Sequence, residues 1–147
     1  MRKRNWFGLV SILVLIGIPG TLARAQATWT DPATGLMWAT HDSATNVDWS
    51  QARDYCANLQ LGGYSGWRPP TIDEAKAIYT PAHTVDYTYY IKGGIQLSGW
   101  FHWASTPGRG STEAVVFSFI AGYEMPEPLN VSKDGQFSMR VLCVRLP

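Results

Sequence analysis

The apolar positions along the chain fall into three patterns: one unbroken run, two stretches at helical spacing and several at extended spacing. The unbroken run, Trp6 to Ile18, lies behind Met1-Arg2-Lys3-Arg4 and ahead of Pro19-Gly20 and Ala23-Arg24-Ala25. A basic start, an apolar middle and a small-x-small end form the order a signal peptidase requires. A membrane-spanning helix takes roughly 20 apolar residues, more than this run offers before Pro19-Gly20 interrupts it. The pattern predicts a secretory signal over residues 1–25, cleaved after Ala25, with Ala25-Gln26-Ala27 as a second frame and an uncleaved anchor as the alternative. No Cys lies near the cleavage site, which disfavours a lipid anchor. Residues 26–147 are expected to form one domain.

Within that domain, Trp29-Thr30 and Leu36-Met37-Trp38 flank Asp31-Pro32-Ala33-Thr34-Gly35, turn residues between apolar ends, which predicts a hairpin. After a polar loop from His41 to Val47, Asp48 precedes Trp49-Ser50-Gln51 in the form of a capping box. Apolar residues at Trp49, Ala52, Tyr55, Cys56 and Leu59 keep three-and-four spacing, so a helix is expected with Trp49 and Cys56 on its buried face. Gly62-Gly63 is the expected stop. Thr71-Ile72-Asp73-Glu74 caps a second helix carrying Ala75, Ile78 and Tyr79, ended by Pro81. Residues 82–99 keep no period and read as a long loop. Trp100–Ser105, Glu113–Ile120 and Phe137–Arg145 are rich in aromatic and β-branched residues and read as strands. Pro126-Glu127-Pro128 and Lys133-Asp134-Gly135 separate the last two. Helices followed by strands indicate an α+β fold with an antiparallel sheet.

Charge changes meaning once the signal is set aside. The whole chain carries 12 Lys+Arg against 11 Asp+Glu. Arg2, Lys3, Arg4 and Arg24 lie in the signal and no acid does, so the mature domain is mildly acidic. Nothing points to nucleic acid, and no later stretch is apolar enough to span a membrane. The two cysteines, Cys56 and Cys143, are expected to pair in an oxidising compartment, with two free buried thiols as the alternative. A bridge closing so long a loop is worth on the order of 4–5 kcal/mol in the chain-entropy model.

The motifs Asp31-x-x-Thr34-Gly35-Leu36-x-Trp38, Trp49-x-x-Ala52-x-x-Tyr55-Cys56-x-x-Leu59 and Gly66-Trp67-Arg68-x-Pro70-Thr71-x-x-Glu74 resemble the Lcl C-terminal domain family. Trp103-Ala104-Ser105-Thr106 resembles that family's Trp-Ser-Ser-Thr element. Val141-Leu142-Cys143-Val144-Arg145 resembles its closing Arg-Cys-Val-Arg. These are bacterial domains of largely unknown function, named for the end of a collagen-like adhesin that binds sulfated polysaccharide. The resemblance implies a C-type-lectin-like fold, two helices on small antiparallel sheets, with the first-helix and last-strand cysteines bridged. It also implies kinship in fold with sulfatase-modifying domains. Two departures matter. Glu127-Pro128-Leu129-Asn130 carries an inserted Leu129 relative to the calcium-binding lectin motif, and no Trp-Asn-Asp follows. The cysteines read as structural, whereas the sulfatase-modifying chemistry needs catalytic ones.

Strand alternation sends Trp100 and His102 to one face and Phe101 and Trp103 to the other. One pair is expected in the core; the other is expected either to pack there as well or to stand exposed beside Tyr87, Tyr89 and Tyr90, as a surface for a ligand. Glu127 and Asn130, on a neighbouring loop, complete the candidate binding set. Trp38, Trp49 and Trp67 are expected in the core, and Arg68 is expected to be a buried structural arginine paired with an acid such as Glu74, with a ligand contact as the alternative. The loop carboxylates Asp86, Glu124, Glu127 and Asp134 lack calcium-loop spacing. His41, His83 and His102 lack a nucleophile motif. Asn130-Val131-Ser132 forms a glycosylation sequon, read as incidental. No catalytic residue, metal or cofactor is assigned. The expectation is a periplasmic or secreted, non-enzymatic recognition domain for a glycan or another surface protein. The alternatives are a structural subunit of a surface assembly or an enzyme accessory.

Overall fold

The computed structural model describes residues 27–81, 88–133 and 135–147. The expected signal over 1–25 and the candidate residues His83, Asp86, Tyr87 and Asp134 lie outside the described residues.

The hairpin pairs β1 (Thr28–Thr30) with β2 (Met37–Ala39), Trp29 opposite Trp38. Its turn is built by Asp31, whose N–H donates to Leu36 O (2.9 Å) and whose carboxylate accepts from Thr34 Oγ1 (2.7 Å). Gly35 supplies the positive φ of 74° that closes it. Both predicted capping boxes form. Asp48 accepts from Gln51 N, and Gln51 returns to Asp48 N, opening α1 (Trp49–Asn58). Thr71 and Glu74 do the same for α2 (Ile72–Ile78). The stops differ from expectation. α1 ends at an extended Leu59, before Gly62-Gly63, and α2 at an extended Tyr79, before Pro81. In each case the cap N–H satisfies a carbonyl three residues back, so no glycine is needed.

The strands differ more. β3 (Phe101–Pro107), β4 (Glu113–Phe117) and β5 (Glu124–Pro128) form an antiparallel meander. β5 contains the Pro-Glu-Pro read from sequence as a separator. It tolerates proline because it is the edge of its sheet. The last predicted run splits into a short 3₁₀ turn (Gly135–Phe137), β6 (Met139–Arg140) and β7 (Val144–Arg145). β6 joins the meander in the order β5-β4-β3-β6, and β7 joins the hairpin in the order β1-β2-β7. β6 runs parallel to β3, so this sheet is mixed rather than antiparallel.

Val141-Leu142-Cys143 crosses between the sheets through the interior, buried along with Trp38, Trp103, Val116 and Ile78. Cys143 bonds Cys56, tying α1 to the residue before β7 across a separation of 87 residues. The fold is therefore α+β, with two helices, small sheets and one disulfide.

Candidate functional site

The expected ligand strip does not form one surface. β3 has no solvent face where alternation predicted one: Phe101, His102, Trp103 and Ala104 are all buried, with α2 packed against the strand and the 41–47 segment bonded to both His102 and Trp103. His102, 2% exposed, is placed in the interior rather than at a ligand. Glu127, 5% exposed, points inward from β5 and accepts from Lys133 Nζ at 2.6 Å. Tyr89, Tyr90 and Trp100 are half-buried, and Tyr90 N donates to Phe119 O at 2.9 Å. Only Asn130 of the described candidates is fully exposed.

His102 instead belongs to a buried polar cluster centred on Asp42, a residue the sequence did not single out. The Asp42 carboxylate accepts from Ala44 N (3.0 Å), Ser98 N (2.6 Å), Ser98 Oγ (2.7 Å) and His102 Nε2 (3.0 Å). Burial alone raises this carboxyl. The hydrogen bond and charge of His102, with the two bonds from Ser98, outweigh it and hold Asp42 well below the usual carboxylate range. Burial and the Asp42 charge push the Tyr55 and Tyr89 hydroxyls up. Among the described residues His102 Nδ1 has no hydrogen-bond partner. Asp42 sits between the serine and His102, so among the described residues no imidazole bonds to the Ser98 hydroxyl. The cluster is not arranged as a base with its nucleophile. Its geometry ties the 41–47 segment, the end of the long loop and β3 together.

The structural motif residues divide. Trp38 and Trp67 are interior as expected, and Trp67 Nε1 donates to Tyr64 O at 3.1 Å. Trp38 Nε1 has no hydrogen-bond partner among the described residues. Arg68 grips Glu74 through two bonds of 2.7 Å each. That pairing raises the Arg68 guanidinium against the opposing effect of burial, and lowers the Glu74 carboxyl. Trp49 departs from expectation. It stands tilted on Trp103, ring centroids 6.2 Å apart, but is only half-buried. At the first position of α1 it lies at the rim of the core, where only one side of the ring meets protein.

Two clefts meet at Trp49. One, about 380 Å³, is lined by Asp48, Trp49, Ser50, Arg53, Leu129 and Asn130. The other, about 410 Å³, is lined by Trp49, Arg53, Asp54, Ala57, Trp67, Arg68, Pro69 and Ser105. Both lie within the size range of ligand sites. Trp49 and Arg53, one helical turn apart, are common to both, so the clefts adjoin as a groove region along α1. The Ser50, Arg53 and Asn130 side chains make no hydrogen bond or ion pair among the described residues, leaving donors and acceptors at the groove's surface. A broader hollow of about 510 Å³ lies on another side of α1, beside Tyr55 and Gln51. It lacks a tryptophan. Arg53 was legible in principle, because the 49-53-57 stripe of α1 follows from helical period alone.

Residues 27–145, nearly all of the described chain, match the Lcl C-terminal domain family. The chain belongs to that family. No curated protein matches it. The five motifs that carry the family resemblance are accounted for in this member by the hairpin turn, the two capped helices, the body of β3 and the crossing that holds Cys143. Among the described residues, no helix is long and apolar enough to cross a membrane, and no group of three or more His, Cys, Asp or Glu could hold a metal ion.

Proposed function

We propose that this Lcl C-terminal domain is an exported, non-enzymatic recognition module that binds a glycan in the groove along α1. The observation that carries the reading is the half-exposed Trp49 at the junction of two clefts, beside the uncommitted Ser50, Arg53 and Asn130. An indole face supports stacking of a sugar ring, and flanking amide, hydroxyl and guanidinium groups support hydrogen bonds to its hydroxyls. This moves the site from the loops favoured by sequence to the outer side of α1, retaining only Asn130 from that set. The disulfide between helix α1 and the chain's last segment supports a C-type-lectin-like reading of the fold. It also supports an oxidising location, periplasmic or secreted, reached by cleavage of residues 1–25. A bound calcium ion has no role in this mechanism.

A glycan-array screen of the purified protein, with and without calcium, tests the reading. Specific binding that is lost in Arg53→Ala or Asn130→Ala, with the fold intact, is the expected result. A blank array under both conditions refutes it.

A second reading, a subunit of a surface assembly, draws on a different observation. Tyr123 and Phe137, 47% and 49% exposed, pack either side of Phe101, with Phe137 stacked on it. Exposed rings of this kind suit a protein interface. Concentration-dependent self-association, reduced by Phe137→Ser, is its test.

A further inference from the structure

The charges lining this groove do not suit a polyanion. Of the two arginines at the groove, Arg68 is committed to Glu74 by its paired bonds. Arg53 is left as the one uncommitted cation among the lining residues, and it is flanked by the carboxylates of Asp48 and Asp54. A polyanion brought here meets one free positive charge and two negative ones, and gains nothing from the domain as a whole, which is itself acidic. An uncharged polyol suits the same lining. Arg53 donates, Asp54 accepts, and Ser50 and Asn130 do both.

The second feature is extent. Each cleft is open to solvent, and Trp49 and Arg53 line both, so the two adjoin along α1. An open-ended groove accepts the middle of a chain, whereas a closed pocket selects a terminal residue. We infer that the α1 groove binds an internal stretch of an uncharged glycan, with sugar rings in both clefts and one stacked at Trp49. This rests on the glycan reading above and adds the charge and the length of the ligand.

The test is calorimetric titration of the protein with a panel of neutral oligosaccharides of one to four rings (gluco-, xylo- and N-acetylglucosamine series). Sulfated and uronate oligosaccharides of equal length are run beside them at low and moderate salt. At least one neutral series is expected to bind at least ten-fold more tightly as a tetrasaccharide than as a monosaccharide, with little salt dependence. The charged series should bind at least ten-fold more weakly even at low salt. Ala57→Trp and Asn130→Trp each fill one cleft from an exposed position, so neither disturbs the core. Each is expected to cut tetrasaccharide affinity about ten-fold. Tighter binding of the sulfated series, weakening steeply with salt, overturns the charge assignment while leaving the glycan reading intact. Equal affinity for one and four rings, or indifference to both tryptophan variants, overturns the two-cleft span. Binding of no member of the panel overturns this inference and the glycan reading together.

Discussion

Asp42→Asn isolates the buried cluster, because it removes a charge while conserving shape. The wild-type carboxylate receives four donors, from Ala44, Ser98 twice and His102. An amide at this position turns one of the two acceptor atoms into a donor and leaves it facing N–H groups. Removing one partner of a buried ionic arrangement typically costs about 3–5 kcal/mol, and the four bonds here place Asp42 within that range. For a domain of this size the loss corresponds to a fall in Tm of roughly 12–20 °C. The same residue sets part of the pH dependence. Its folded carboxyl sits below the ordinary value of about 3.9, so the unfolded chain takes up the proton first as pH falls. Asp42 thus contributes its full stabilisation above about pH 5 and loses it progressively as pH drops toward the lowered folded value. Urea denaturation of wild type and variant between pH 3 and pH 7 measures both effects. The variant should be destabilised at pH 7 and show a shallower acid limb. The limb should not vanish, because Glu74 is lowered by Arg68 and has the same sign. A variant within about 0.5 kcal/mol of wild type at pH 7, the size of an ordinary surface substitution, with an unchanged acid limb, would refute the reasoning.

Three further outcomes are expected. Cys56→Ser should cost about 2–5 kcal/mol, well beyond Tyr89→Ala, whose ring is half-buried; thermal melts of the two variants compare them, and equal shifts count against the bridge. Trp103→Ala should cost about 3–5 kcal/mol and Trp49→Ala about half as much, because Trp103 is fully buried and Trp49 keeps one side in solvent; equal losses by denaturant titration would put Trp49 in the core. Gly93→Ala should destabilise by about 2 kcal/mol, since Gly93 holds a φ of 75° and a Cβ there runs into the Trp29 ring; a neutral melt would mean that the 88–100 segment can move off β1.

Sequence alone determined the parts of this protein whose causes lie within a few residues of one another. The Asp31 turn, the Asp48 and Thr71 caps and the Arg68–Glu74 pair all depend on side chains reaching their own neighbouring backbone or the next turn. The disulfide was legible for another reason, as only two cysteines were present to pair. Tertiary structure decided the rest. A period of two says that β3 has two faces, and only the other layers of the fold say that both are covered. His102 meets Asp42 across 60 residues, and no local pattern marks either as a partner of the other. The run from Phe137 to Arg145 looks continuous, yet its halves serve different sheets because the buried crossing at Val141-Leu142-Cys143 is held from both sides. The groove follows the same rule. Helical period places Trp49, Arg53 and Ala57 in one stripe, but the walls that turn the stripe into clefts, Leu129 and Asn130 on one side and Trp67 to Pro69 on the other, arrive from distant parts of the chain. A binding surface is made where separate segments converge, and convergence is a property of the packed chain rather than of any stretch of it.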